Sequence, residues 1–188
     1  FGHGQIEGFE EKYGMEFRRA YQDEQVDEDL VHRHEREVFP LLKKRYLFSG
    51  VSDFALYDFY TGRDRVNENV LAYSNKAGGE RSLVLYNNAY DSTSGWIRIA
   101  SPIKGASDSD TRQPSLAEAL GLNGEPGTYY VLDDHLRGLS YLRAGSELAE
   151  KGLFVELNGY AYHVFLGFRE VRDVDGGWAK LAKHLHGD

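Results

Sequence analysis

LAYSNKAGGERSLVLYNN, residues 71–88, holds two short apolar runs on either side of the glycine pair Gly78 and Gly79. Each run is rich in Leu, Val and Tyr, residue types that fit a pleated, half-buried strand. A glycine-bearing turn between two such runs is typical of a β-hairpin, because glycine adopts the backbone angles that tight turns require. We therefore expect residues 71–88 to form a hairpin and the surrounding chain to form a β domain.

The strand pattern recurs on both sides of this hairpin. Further strand-like segments are DFALYDFYT at 53–61, GWIRIAS at 95–101, TYYVLDDH at 128–135 and LSYLRA at 139–144, and 153–173 is interpreted as a second hairpin that turns at Asn158 and Gly159. Short helices are expected at 115–122, 146–152 and 176–187. Roughly six to eight strands at a spacing of about 8–12 residues indicate a mainly β fold, an antiparallel β-sandwich with small helices.

Residues 27–48, DEDLVHRHEREVFPLLKKRYLF, have instead the period of an amphipathic helix. Acidic residues lie in the first turn and basic residues in the last, as the helix dipole favours at each end. Pro40 stands inside the segment and predicts a kink. The composition changes near residue 50, so we expect two parts, a helical one at 1–50 and a β domain at 51–188.

The composition argues against several classes of function. A formal charge of −8 with no basic tract disfavours nucleic-acid binding. The chain has no cysteine, which fits the cytoplasm but does not exclude export. No apolar run approaches the ~20 residues that span a bilayer, so no membrane partner is expected. The chain begins at Phe1 and its one methionine is Met15, from which we expect a processing or cloning boundary at the N-terminus.

Candidate metal and nucleophile motifs fail on spacing. His32 and His34 are two residues apart, which sets them about 200° apart around a helix, so they cannot bind one ion as a zincin pair does. A calcium loop starting at Asp108 needs glycine at its sixth position and glutamate at its twelfth, where the sequence has Gln113 and Ala119. No G-x-S-x-G motif occurs. We therefore expect no metal and no cofactor.

Aromatic residues are abundant, with 13 Tyr, 10 Phe and 2 Trp. Exposed Trp and Tyr rings can stack on sugar rings, so Trp96 and Trp178 are candidate sugar platforms. Large aromatic side chains usually serve as buried packing, however, and packing in the core or at a docked helix is the simpler interpretation of both tryptophans.

Four segments carry a resemblance to a known family. They are FGHGQIEGFEEKYGMEFRRAY at 1–21, EVFPLLKKRYLF at 37–48, ENVLAYSNKAGGERSLVLYNNAYDSTSGWIRIASP at 68–102 and YAYHVFLGFREVRD at 160–173. They resemble the C-terminal part of enzymes in a bacterial branch of the α-amylase superfamily of glycoside hydrolases. The first two look like the loop after the eighth strand of the catalytic TIM barrel and the final barrel helix. The last two look like the beginning and the end of the C-terminal β-sandwich domain.

The resemblance implies a parent enzyme that hydrolyses or transfers α-glycosidic bonds of α-glucans by a retaining mechanism. The three reacting carboxylates of that superfamily precede the eighth barrel strand, so they would lie upstream of Phe1, and the chain itself is expected to be inactive. GFREVRD at 167–173 has Val171 where the family's nucleophile stands, and we interpret it as a β-strand.

The resemblance also suggests partners and binding residues. His3, Gln5 and Glu7 lie in the first loop and are expected to line the substrate cleft, because active sites of TIM barrels are built from such loops. The partners implied are an α-glucan oligosaccharide, bound through the parent enzyme, and the catalytic barrel of the same protein.

Two alternatives from other classes stay open. A free-standing carbohydrate-binding module would use Trp96 or Trp178 as its platform. An interaction domain would use the apolar stripe of the helix at 27–48 to bind a partner or a second copy of itself.

Overall fold

The computed structural model describes residues 2, 4–11, 21–62, 65–104 and 111–185. The chain forms two compact units, Phe1–Arg45 and Tyr46–Asp188. We call them the N-terminal unit and the β unit and describe each by itself.

Short helices dominate the N-terminal unit. Helix α1 is Glu28–Glu37, α2 is Phe39–Lys43, and α3, Arg45–Phe48, continues into the β unit. Asp27 caps α1, because its carboxylate accepts a hydrogen bond from the backbone N–H of Leu30 at 3.0 Å. The helical prediction for 27–48 is confirmed, but the helix is interrupted at Val38 and again at Lys44. Proline is tolerated only in the first turn of a helix. A new helix, α2, therefore begins at Phe39, just before Pro40.

Besides the end of α3, the β unit contains eleven strands and three further helices within its described residues. The strands are β1 Phe54–Thr61, β2 Arg65–Val66, β3 Val70–Ala77, β4 Glu80–Asn87, β5 Thr93–Ala100, β6 Ile103–Lys104, β7 Thr111–Arg112, β8 Thr128–Asp134, β9 Leu139–Ala144, β10 Leu153–Leu157 and β11 Tyr162–Arg172. The helices are α4 Leu116–Leu120, α5 Gly145–Glu150 and α6 Gly177–Leu185. The predicted mainly β, antiparallel class is thus confirmed.

Nine of these strands form one sheet, with the order β10-β5-β1-β3-β4-β11-β8-β9 and with β2 paired to β1. The remaining two, β6 and β7, pair with each other. The predicted hairpin is confirmed: β3 and β4 pair in register from Val70 opposite Asn87 to Ala77 opposite Glu80. The strands predicted at 128–135 and 139–144 are also confirmed, as β8 and β9, and the two pair with each other.

The second predicted hairpin is wrong. β10 pairs with β5, whereas β11 pairs with β4 and β8, so the two strands flanking the Asn158-Gly159 turn are not neighbours. A residue far away in the sequence holds the turn in place. The Asn158 carbonyl accepts a hydrogen bond from the Asn87 side-chain amide at 3.0 Å. A Cβ at Gly159 would lie 1.9 Å from the carbonyl oxygen of Tyr90, so glycine is required by close packing and not by a hairpin.

The connection from β9 to β10 requires the sheet to curl. β9 and β10 are the two ends of the strand order, yet only α5, Lys151 and Gly152 join them. A six-residue helix and its short flanks reach roughly 20 Å. Eight strands laid flat would set those ends roughly 34 Å apart, at about 4.8 Å per step. The sheet therefore curls around the core, and its two edges come within reach of each other.

The core lies on the inner face of this curled sheet. It draws side chains from strands along the whole order, including Phe59 of β1, Leu83 and Leu85 of β4, Ile97 of β5 and Tyr130 of β8, all with 0% exposure. Leu153, Val155 and Leu157 of the edge strand β10 belong to the same core. One hydrophobic core thus supports both ends of the sheet.

Candidate functional site

An open cleft of about 700 Å³ lies at the seam between the two edges of the sheet. Its walls come from both edge strands, β9 and β10, and from β5, β8 and β11. The helices α5 and α6 contribute Glu147 and Ala182. We call it the seam cleft. The residues that line it include Trp96, Arg137, Tyr141, Arg143, Glu147, Phe154, Glu156, His163 and Phe165.

Strand alternation brings the aromatic residues of the inner wall to the cleft. On β11, His163 and Phe165 are opposite the core residues Leu85 and Leu83 of β4, so both point to the inner face. Tyr141 of β9 is opposite Leu132 of β8 and shares that face. The Tyr141 ring meets His163 edge-on at 6.2 Å and Phe165 at 5.7 Å, while His163 and Phe165 stack at 5.5 Å.

A buried hydrogen-bonded pair lies behind this aromatic wall. The His163 Nδ1 is 2.7 Å from the Asp134 Oδ2, and the two side chains are 5% and 0% exposed. Burial by itself raises the pKa of Asp134, but the hydrogen bond and charge of His163, with the backbone N–H groups of Leu136 and Val164, outweigh it and hold that pKa below its ordinary value. Asp134 is therefore ionised at neutral pH.

Charged groups of both signs surround the cleft. The Arg143 guanidinium lies over the Tyr141 ring at 5.7 Å and donates a hydrogen bond to the Leu142 carbonyl. Arg137 Nε is 4.0 Å from Asp134 Oδ2, and the carboxylates of Glu147 and Glu156 also line the cleft. Both hydrogen-bond donors and acceptors are thus offered to a ligand without a strong field of one sign.

Trp96 lies at the outer wall of the cleft, in a row of three aromatic residues. It is opposite Phe154 on β10 and opposite Tyr60 on β1. The Trp96 and Phe154 rings are 5.3 Å apart, and the Arg98 guanidinium lies 4.9 Å from the centre of the Tyr60 ring. Trp96 is half-buried, and its ring packs beside that of Phe154.

The other predicted binding residues lie elsewhere. Trp178 is half-buried at the start of α6, where its backbone N–H donates to Asp173, and it is not among the residues that line the seam cleft. Gln5 is exposed in the N-terminal unit, and its side-chain oxygen accepts from the Gly2 N–H at 2.7 Å. Glu7 is half-buried in the same loop, where its carbonyl accepts from the Asp27 N–H. His3 lies outside the described residues.

Tyr141, His163 and Asp134 were not predicted as site residues. The sequence does contain one signal for His163, the alternation of residue types in YAYHVFLGF. His163 and Phe165 are two residues apart, so on a strand both side chains point to the same, inward face. The partner aspartate comes from β8, which sequence spacing alone does not connect to β11. GFREVRD, interpreted as a strand, is confirmed as part of β11 up to Arg172.

A second cavity, of about 410 Å³, lies near the start of β1. Several of its polar lining residues are already engaged within the protein. Lys76 Nζ is 3.5 Å from the Asp53 carboxylate, and Glu118 forms the capping box of α4 with Ser115. The seam cleft, with its aromatic walls, is therefore the better candidate for a binding site.

Comparison with protein-family models finds no match to this chain, and comparison with curated proteins finds none either. Among the described residues, no group of three or more histidine, aspartate or glutamate side chains could hold a metal ion. None of the helices in the described ranges is long and apolar enough to cross a membrane.

Proposed function

We propose that this protein is the non-catalytic C-terminal region of an α-amylase-like glycosidase or transglycosidase that acts on α-glucans. The resemblance of residues 1–21 and 68–102 to that family supports the proposal. In this assignment the N-terminal unit is the last barrel loop and final helix, and the β unit is the C-terminal β-sandwich domain, whose two layers are the facing halves of the curled sheet. The parent acts in the cytoplasm, with export as the alternative.

The observation that carries a glucan-binding role is the position of Trp96 at the seam cleft. Sugar rings have apolar C–H faces and polar edges, so their sites combine aromatic surfaces with a few charged or amide groups that bind hydroxyls. Trp96, Phe154 and Tyr141 supply the aromatic surfaces. Arginine and glutamate side chains stand beside them in the cleft. A neutral oligosaccharide fits this chemistry better than a strongly charged ligand does.

Titration calorimetry with maltoheptaose tests this role. The wild-type chain is expected to bind, and Trp96→Ala is expected to weaken binding by about tenfold or more, because one aromatic stacking partner contributes on the order of 1 kcal/mol beyond its buried area. Trp178→Ala is the matched control and is expected to leave affinity unchanged. If only Trp178→Ala loses affinity, the aromatic platform lies on α6 and not at Trp96. A wild-type chain that does not bind maltoheptaose would contradict the proposal.

A second measurement tests the non-catalytic part of the proposal. Incubation of the purified chain with starch, maltooligosaccharides or pullulan is expected to release no reducing sugar, because the resemblance places the reacting carboxylates upstream of Phe1. Turnover above the uncatalysed rate would contradict it.

Self-association is a second candidate role, favoured by the helices of the N-terminal unit. Neither α1 nor α2 has a fully buried residue within the described structure, and Leu42 is 54% exposed. Exposed apolar groups on an amphipathic helix are a common contact between copies of a protein. Light scattering of the purified chain over a range of concentrations distinguishes a monomer from an oligomer.

A further inference from the structure

The Asp134–His163 pair determines which nitrogen of His163 carries a proton. An ionised carboxylate only accepts hydrogen bonds. Asp134 Oδ1 already faces the N–H groups of Leu136 and Val164, at 3.2 and 3.4 Å, and Oδ2 faces His163 Nδ1 at 2.7 Å. Because Asp134 is ionised, Nδ1 must be the donor in this contact. In the neutral imidazole the other nitrogen, Nε2, then has a free lone pair.

The orientation of the imidazole ring is also restrained. His163 stacks on Phe165 with an angle of 5° between the planes, and the Tyr141 ring meets it at 87°. The side chain is 5% exposed and still lines the seam cleft. A buried side chain held by a hydrogen bond and two aromatic contacts loses little further conformational entropy when it binds a ligand.

We propose that His163 Nε2 accepts a hydrogen bond from a hydroxyl group of a neutral saccharide bound in the seam cleft, and that Asp134 is the positioning residue that holds the proton of the neutral imidazole on Nδ1. The proposal rests on the glucan-binding function argued above and adds a specific contact to it. Because His163 lines the cleft, a lone pair on its Nε2 would select a ligand that donates hydrogen bonds. Hydroxyl groups do so, whereas carboxylate and phosphate oxygens only accept.

Long-range ¹H–¹⁵N correlation spectra of the whole chain, labelled at histidine, test the first part. At a pH where His163 is neutral, the free protein is expected to show Nδ1 protonated and Nε2 unprotonated. Asp134→Asn is expected to change this tautomer ratio, because the amide can donate as well as accept, and a purely structural role for Asp134 would leave the ratio unchanged. A free protein with the proton on Nε2 would overturn the proposal.

Addition of maltoheptaose to the same sample tests the second part. Binding is expected to shift the Nε2 resonance of His163, and the shift is expected to disappear in Trp96→Ala at the same ligand concentration. His163→Gln is expected to weaken binding about tenfold, the effect of one buried hydrogen bond. His32→Gln, at an exposed position on α1, is the matched control and is expected to bind as the wild type does.

The outcomes separate the two proposals. If maltoheptaose binds in a Trp96-dependent manner but leaves Nε2 unshifted, the hydroxyl contact is wrong and the glucan-binding function stands. If the wild-type chain does not bind maltoheptaose, both fail. The spectra of the wild-type chain decide the contact even if His163→Gln fails to fold.

Discussion

The two units of the chain are stabilised in different ways. Every buried hydrophobic residue among those the structure describes lies at or after Leu47, and the β unit closes around a core in which Phe59 and Ile97 are fully inaccessible. In the N-terminal unit, neither α1 nor α2 buries a residue completely. Isolated helices of this length are marginal in water, so helix propensity alone does not stabilise the N-terminal unit.

In the N-terminal unit, hydrogen bonds from backbone N–H groups to side-chain carboxylates link separate stretches of the chain. The Glu11 carboxylate accepts from the backbone N–H groups of Tyr21 and Gln22, and the Glu24 carboxylate accepts from those of Glu10 and Glu11. Each such bond contributes on the order of 1 kcal/mol. The comparison shows that the free energy of folding is concentrated after residue 46, and that the earlier segment keeps its shape through local contacts.

Truncation of one core side chain is expected to have the largest effect. Phe59→Ala should lower the free energy of unfolding of the β unit by about 3–5 kcal/mol, because it removes a fully buried aromatic ring and leaves a cavity. Leu42→Ala, the matched change at an exposed site on α2, should lower it by about 0.5 kcal/mol or less. Denaturant unfolding followed by circular dichroism measures both. Equal effects at the two sites would contradict the contrast between the units.

Substitution of the buried carboxylate should have an intermediate effect. Asp134→Asn is expected to cost about 1.5–3 kcal/mol at pH 7, because it weakens charge-assisted hydrogen bonds to His163 and to two backbone N–H groups. Since the pKa of Asp134 is lowered in the folded state, the stabilisation is present above the ordinary pKa of about 3.9 and is lost as the pH falls through the lower, folded value.

The difference in stability between the wild type and Asp134→Asn should therefore shrink below about pH 4. Denaturant titrations at pH 7 and at successively lower pH measure it. Asp58→Asn, at an exposed carboxylate of β1, is the control and should change stability little. A difference that persists unchanged well below pH 4 would show that Asp134 acts through its shape and not through its charge.

Removal of residues 1–45 should have the smallest effect on the β unit. All of the core described above is retained, so the thermal midpoint of 46–188 is expected to stay within a few degrees of that of the full chain, which corresponds to about 1 kcal/mol or less. Differential scanning calorimetry of the two chains provides the comparison. A truncated chain that no longer unfolds cooperatively would show that the β unit depends on the N-terminal unit.

Local signals predicted the local parts of the fold. The hairpin at 71–88 followed from apolar runs around Gly78 and Gly79, and α4 from a short segment that begins at Ser115, its N-cap. The same reasoning failed at Asn158-Gly159, because a turn signal states that the chain reverses and not which strands become partners. β10 joins β5 through a close approach at Gly152, where a Cβ would lie 2.0 Å from the Ile97 carbonyl oxygen. No pattern of residue types within 153–173 indicates that β10 would pair with β5.

The candidate site also contains one residue that the sequence predicted and a pair that it did not. Trp96 was predicted from its residue type, because an aromatic platform is a property of a single side chain. The pair of Asp134 and His163 was not, since it depends on the pairing of β8 with β11 and on the face that each strand presents. Pairing between distant strands is set by the core and not by local propensity.

The order of the strands has a consequence for how the protein is made. β1 pairs with β5, β5 with β10, and β4 with β11. The strands in each pair are far apart in the sequence, so the chain must close large loops before these contacts form. Proteins with such non-local pairing fold in milliseconds to seconds, far more slowly than helical bundles. On the ribosome, β4 and β8 stay without their shared neighbour until β11, Tyr162–Arg172, has emerged. Synthesis that stops before Arg172 leaves two open strand edges, and its product is prone to aggregation.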